Sequence, residues 1–271
     1  MNPKSMTDNQ FLKYQDLIYR RLGILYKEEK RDMLLGKVSK HMRTMGIESY
    51  DQFFQIIRSA GESDKAWTDL VDDITIHTTN YFRERNHFDY ISRNVETIIK
   101  NNPRIAQRAE VRGWSSACST GEEAYTLAMV LKDCMGERAV PKILATDVSK
   151  GSMAKAIKGE YRKDIRRDVD PLILQRYFIR VGENYKVNKD IRRFITFRSF
   201  NLADNFPFRD TFDLIFCRNV MIYFSPEMQQ SLLNKLYRAL TPGGLLFIGH
   251  SESLIGKVHR FQYIQPTVYM R

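Results

Sequence analysis

The stretch RGWSSACSTGEEAYTLAMVL, from Arg112 to Leu131, decides how this chain is read. An apolar run enters a loop of small residues and leaves it in a helical pattern, the layout of strand, turn and helix that holds a nucleotide-like ligand. Dinucleotide folds place G-x-G-x-x-G in that loop. Here only the late Gly121 is present, so the motif alone leaves the ligand open.

Downstream, short apolar runs alternate with helical patterns. VRGWSSAC, KILATDVS, FITFRSFN, FDLIFCRN and GGLLFIGH read as strands, and GEEAYTLAMVLKDCM and SPEMQQSLLNKLYRAL as helices between them. Such alternation predicts an α/β fold with a parallel sheet covered on both faces. RFQYIQ and TVYMR predict an antiparallel hairpin at one edge. YFIRVGENYKVNKDIRRF is too long and strand-rich for a simple crossover and reads as a small β insert at about 172–195.

Upstream, residues 8 to about 76 read as short helices. The first starts at a capping Asp8 and stops near Gly23; the second, KEEKRDMLLGKVSKHMRTMG, ends at Gly46. Leu34, Leu35, Val38, Met42 and Met45 share one face of it, and Lys37, Lys40 and Arg43 lie opposite as a basic surface. The expected division is a helical domain and linker over 1–80 and a sheet domain over 81–271.

With 43% hydrophobic and 28% charged residues in 271, the composition is that of a soluble globular protein. No run of 18 apolar residues exists to insert into a bilayer, and MNPKSMTDNQ lacks the apolar core of a signal peptide. Cys118, Cys134 and Cys217 are too few and too scattered for a disulfide frame or zinc site, so a reducing cytoplasm is expected. The histidines show no ligand-like spacing, and no metal is expected. A formal charge of +11 favours an acidic partner: nucleic acid, an anionic membrane or an acidic protein surface.

In open α/β sheets ligands sit beyond the carboxyl ends of the strands. Four such ends carry polar groups: SACSTGEE; ATDVS with Asp147, suited to accept ribose hydroxyls; SFNLAD with Asn201; and CRNVMIYF with Arg218 and Asn219. Singly each reads as a turn or helix cap; together they predict a pocket. HTTNYFRERNHF, upstream of the first sheet strand, places Arg83 directly after Tyr81 and Phe82, so burial of the aromatics would hold its guanidinium at the domain junction.

These pieces together resemble the CheR family of chemotaxis receptor methyltransferases over nearly the whole chain. The matching motifs are TTNYFRE, WSSACSTGEEAYTLAM, ATDVS, FNLAD, FDLIFCRNVMIYF and LTPGGLLFIGHSESL. The resemblance implies an all-α N-terminal domain followed by a class I S-adenosylmethionine-dependent methyltransferase domain, Rossmann-like, with an inserted β subdomain. It implies that Thr79 and Arg83 reach the methyl donor, Glu122 belongs to the loop around its methionine part, and Asp147 holds the ribose. Asn201 and Leu202 correspond to adenine-side contacts, Cys217, Arg218 and Asn219 to the loop under the donor, and Tyr223 to a tyrosine near the transferred methyl. His77, also a candidate donor contact, stands where the family commonly has asparagine. Glu123 reads as a helix-start residue, favoured there by the helix dipole.

The implied reaction transfers a methyl from S-adenosylmethionine to receptor glutamates, giving methyl esters and S-adenosylhomocysteine. A glutamate is already ionised at neutral pH, so no general base is needed. The expected partner is the cytoplasmic coiled coil of the receptors, met by Lys37, Lys40 and Arg43, with no nucleic acid and no tethering peptide, since the insert is short. A nucleic-acid amino-methyltransferase would carry N/D-P-P-Y/F where this chain has RNVMIYF. The other rival is a noncatalytic donor sensor, against which Arg83, Asp147 and Tyr223 argue. Lacking a pyrophosphate, the donor needs no glycine-rich cradle, and Ser116, Ala117 and Ser119 give clearance enough.

Overall fold

The apolar runs become strands in the computed structural model, which describes residues 6–271; the first five residues of the expected helical domain, part of the stretch read for a signal peptide, lie outside the described residues. In chain order the strands are β1 (Glu110–Ser115), β2 (Val140–Asp147), β3 (Glu160–Tyr161), β4 (Phe178–Val181), β5 (Asn184–Val187), β6 (Ile195–Ser199), β7 (Phe212–Cys217), β8 (Leu240–Ile248), β9 (Gln262–Gln265) and β10 (Val268–Met270). The helices are α1 (Asp8–Leu22), α2 (Arg31–Thr44), α3 (Tyr50–Ser59), α4 (Lys65–Ile74), α5 (Asn86–Arg93), α6 (Val95–Asn101), α7 (Arg104–Arg108), α8 (Glu122–Met135), α9 (Lys150–Lys158), α10 (Pro171–Tyr177), α11 (Lys189–Arg192) and α12 (Pro226–Ala239).

The main sheet runs β6-β2-β1-β7-β8-β10-β9. Its first five strands are parallel, and β10 and β9 close one edge antiparallel. All six residues of β7 are buried, which is why FDLIFC reads as an unbroken apolar run. Chain order steps from β1 outward through β2 to β6, then crosses back to β7 on the other side of β1. That reversal opens a crevice at the carboxyl ends of β1 and β7.

α1 to α4 pack around Tyr14, Ile18, Leu34, Val38, Phe53 and Leu70, all fully buried. Two expectations shift here. Thr7, not Asp8, caps α1, in a reciprocal capping box with Gln10. The second helix opens as a separate 3₁₀ turn, Glu28–Lys30, and α2 ends at Thr44, leaving Met45 exposed beyond it rather than on the packed face.

The two units are joined by specific contacts. Ile24 bridges Phe224 in antiparallel fashion, and the Leu25 N–H donates to the Tyr223 carbonyl at 2.9 Å. Asp72, at the end of α4, accepts from Ser149 Oγ (2.7 Å) and the Gly151 N–H (3.0 Å), satisfying donors at the start of α9. The insert is a three-stranded antiparallel sheet ordered β3-β5-β4. It recruits β3 from well before residue 172, so it begins earlier in the chain than the expected 172–195. Among the described residues no helix is long and apolar enough to cross a membrane.

Candidate active site

A cleft lies at the carboxyl ends of β1, β2, β6 and β7, roofed by the turn after α1 and by residues 74–80 of the linker. The loop after β1 contributes Ser116, Ala117 and Ser119, β2 ends in Asp147, β6 leads to Asn201 and Leu202, and β7 leads to Arg218 and Asn219. Gly121 turns the chain from β1 into α8 at φ 98°, and a Cβ there would lie 2.9 Å from that of Ala156. Glycine is required by both backbone angle and space.

Asp147 is buried at 9% exposure, with Oδ2 accepting the Ser119 N–H at 2.8 Å and Oδ1 the Ser149 N–H at 2.9 Å. Each oxygen keeps further acceptor capacity for hydroxyls in the cleft. Burial raises its pKa, and the two backbone N–H groups pull the other way.

The two glutamates that open α8 separate. Glu123 lines the cleft, accepts from Ser115 Oγ at 2.6 Å and lies 3.3 Å from Arg218 Nη1. Burial raises its pKa, opposed by Arg218. Glu122 does not line the cleft; its carboxylate accepts from Thr120 Oγ1 at 2.6 Å beside the buried Tyr81 and Tyr161. Of this pair the expectation named Glu122, whereas rotation about the start of α8 turns the second glutamate, Glu123, to the cleft.

Cys217, expected with Arg218 in the loop under the donor, has its side chain outside the cleft. As the last residue of β7 it is fully buried against the α12 side of the sheet, and only the next residue, Arg218, reaches the cleft. Strand alternation dictates this.

Arg218 is the hub of the site. Its guanidinium reaches Glu84 at 3.0 Å and the Arg83 carbonyl at 2.5 Å, while Nη1, near Glu123, makes no hydrogen bond. Glu84 is held by Arg218, by Asn219 Nδ2 at 3.2 Å and by the His250 N–H at 3.1 Å. Burial alone would raise its pKa, but Arg218 and these donors outweigh it, and the pKa is lowered. Glu84, His87 and His250 lie close enough together to suggest a metal site. Both Glu84 oxygens are spent on these donors, however, and a guanidinium already supplies the cation.

Thr79, Arg83 and Tyr223 also line the cleft. Arg83 Nη1 donates to the Thr78 carbonyl at 2.6 Å, and burial raises the Tyr223 pKa. His77 lines it too, but its ring nitrogens contact Ser152 Oγ (2.9 Å) and the Asp72 carbonyl (2.7 Å), so the ring ties the linker to α9 and α4. Asn201 spends its side chain on the Arg21 carbonyl (2.6 Å) and the Ala203 N–H (3.0 Å). It bridges to α1 while its backbone edges the cleft.

One contributor escaped the reading of individual strand ends. Glu252 accepts the N–H groups of Asn219 (2.9 Å), Val220 (2.9 Å), Met221 (2.7 Å) and Gly249 (2.6 Å), fixing the loop that carries Asn219 and Tyr223. Gly249 is needed beside it, since a Cβ there would stand 2.4 Å from Asn219 Nδ2. Its only signal in sequence was an acidic residue four positions after a buried strand.

Residues 9–75 match the all-alpha domain of the CheR methyltransferases, and residues 77–270 match their SAM binding domain. The chain belongs to the CheR methyltransferase family. It is 34% identical to the chemotaxis protein methyltransferase of Escherichia coli (strain K12), over 98% of this chain and 91% of that one. It is 31% identical to the chemotaxis protein methyltransferase of Borreliella burgdorferi, over 98% and 95%, and 34% identical to chemotaxis protein methyltransferase Cher2 of Pseudomonas putida, over 94% of each.

The cofactor of this CheR chain is S-adenosylmethionine, and the donor set of the cleft fits it. Asp147 offers acceptors for a ribose diol, Glu123, ion-paired with Arg218, an anion for an ammonium or sulfonium, and Arg83 and Arg218 Nη1, which makes no hydrogen bond, donors for a carboxylate.

Proposed function

We propose that this CheR methyltransferase esterifies glutamate side chains of chemoreceptors. The observation that supports the reading is the cleft itself: its acidic groups, Asp147 and Glu123, are committed to backbone N–H groups and to Ser115, and none stands free as a general base. That is the arrangement expected when the nucleophile arrives already ionised.

S-adenosylmethionine supplies an electrophilic methyl on a cationic sulfur when bound. In this reading Asp147 holds the ribose, Leu202 and the backbone at Asn201 flank the adenine, Glu123 faces the amino-acid end, and Arg83 with Arg218 grips the carboxylate there. Thr79 and Asn219 complete the wall. Glu84 keeps Arg218 from pairing with an incoming glutamate, which would stabilise the nucleophile more than the charge-dispersed transition state and slow transfer. Tyr223 packs beside the reacting centre. The linker and the turn after α1 exclude water, and alignment inside a dry cleft supplies most of the rate.

The receptor's methylation region is acidic in this reading, and α2 borders the entrance. Lys30 and Met33 line the cleft, and Lys37 is one helical turn beyond Met33. Lys37 is half-buried, with its pKa lowered by that burial; Lys40 pairs with Asp73 at 2.7 Å; Arg43 is exposed.

The test is incubation with methyl-labelled donor and either receptor cytoplasmic fragments or nucleic acid. Base-labile label on receptor glutamates is the expected result. Label on nucleic acid, or donor binding without transfer to any receptor fragment, would refute it.

A further inference from the structure

A second concavity lies at the opposite end of the sheet, beside the amino ends of β7 and β8. Its rim carries Arg209, Arg238, Arg260 and Arg271, and its floor is formed by Tyr237, Phe206 and Phe208. Asp210 is the single acidic side chain there, and it is taken by Arg271. Among the described residues, Arg209, Arg238 and Arg260 are in no ion pair, and all three are exposed. The carbonyls at the end of α12, whose dipole would repel an anion, are covered. Arg238 and Ala239 receive the Asp210 and Thr211 N–H groups at 2.9 Å, and the Leu240 carbonyl receives Arg271.

Three guanidiniums without a counterion converge here on an aromatic floor. Arg260 already stacks on Tyr237, its carbon 4.2 Å from the ring centre. Guanidinium forks match phosphate oxygens, and arginine planes and aromatic rings both stack on a flat heterocycle. Arg271 also lies over the Tyr237 ring, 5.0 Å from its centre, so the plane left for a heterocycle is the outer face of Arg260. We propose that this pocket binds a nucleotide, with the phosphates on Arg209 and Arg238 and the base stacked on Arg260, whose other face rests on Tyr237.

The pocket is mechanically continuous with the donor cleft. Phe206 and Phe208 lie 5.1 and 5.2 Å from the ring of Trp114, and 5.4 and 5.7 Å from Phe200. That same short segment begins with Phe200, Asn201 and Leu202 at the cleft. Lys235 of α12 anchors it through the carbonyls of Leu202 (2.7 Å) and Asp204 (2.9 Å). A ligand that displaces Phe206 or Phe208 would act on the adenine wall through these ring contacts, and whatever coupling results is the same in both directions.

The experiment is calorimetric titration of the full chain with ATP, GTP and pyrophosphate at about 0.15 M salt, with and without saturating S-adenosylhomocysteine. The expected result is nucleotide binding that survives S-adenosylhomocysteine with a severalfold change in affinity. It should weaken tenfold or more in an Arg238→Glu/Arg260→Glu variant that still binds S-adenosylhomocysteine normally. Binding abolished by S-adenosylhomocysteine and untouched by the double variant would put the nucleotide in the donor cleft and overturn the proposal. Pyrophosphate binding as tightly as ATP would overturn the base-stacking assignment. No nucleotide binding, together with capture of a glutamate-rich peptide, would assign the pocket to a protein partner instead. None of these outcomes depends on the receptor-methylation reading, which is tested separately.

Discussion

At the start of α8 two adjacent carboxyls share a residue type but not an environment, and the difference is measurable. Glu123 faces the cleft between Ser115 and Arg218, whereas Glu122 turns toward Thr120 and buried tyrosines. Glu123→Gln is expected to weaken S-adenosylhomocysteine binding about tenfold or more, the scale of one charged hydrogen bond; Glu122→Gln should leave it within about threefold. Equal effects in a calorimetric comparison would remove the distinction. The same residue governs pH dependence. Burial raises the pKa of both Glu123 and Asp147, so just above the ordinary carboxylate range, about 4, the free protein holds protons that the bound state must give up. Donor affinity should therefore rise with pH through that window and level off toward neutrality, with proton release visible as a dependence of the binding heat on buffer. Sequence could not separate the pair, because the choice depends on the helical rotation set by Gly121. Asp147 was legible because the end of a strand in a parallel sheet has only one place to point.

Elements that pack on both sides announced themselves: β7 is buried along its whole length, and β1 and β2 are buried continuously toward their carboxyl ends. β3 did not, being two residues whose strand character comes only from pairing Glu160 with Lys186 and Tyr161 with Tyr185. The loop after β7 is a similar case, since its conformation is imposed by Glu252 from some thirty residues away. Four N–H groups converge on that carboxylate, and Asn219 sits at φ 56°, a strained angle for a residue with a side chain. Glu252→Gln keeps the shape but turns an amide donor toward N–H donors. It should cost on the order of 2–3 kcal/mol in urea unfolding. It should also lower turnover on receptor at least tenfold, because Asn219 and Tyr223 lose their support. Unchanged turnover in a variant destabilised by that amount would show that the loop holds its shape without Glu252.

Across the whole molecule the positive charge is unevenly placed. Residues 1–76 hold twelve basic and twelve acidic side chains, while residues 150–200, spanning α9 and the β insert, hold fourteen basic against six acidic, a net +8 of the chain's +11. The helical domain is thus neutral overall, and the basic face of α2 is a local feature partly cancelled by Asp73. At physiological salt both surfaces are screened to about 8 Å, but at low salt the larger charge of the insert reaches further than that of α2, and in the proposed reading it dominates the field met by an acidic receptor. The two contributions should separate kinetically. Lys37→Glu/Arg43→Glu, on α2, is expected to raise the receptor KM with donor affinity unchanged. Arg166→Glu/Arg167→Glu, on exposed positions of the insert, should lower kcat/KM for receptor about threefold or more at low salt, leave kcat alone and flatten its salt dependence. The decisive measurement is the salt dependence of kcat/KM for wild type and both variants. If the α2 pair removes most of the slope and the insert pair none, the long-range field of the insert plays no part in encounter, and the receptor is recognised through the helical domain alone.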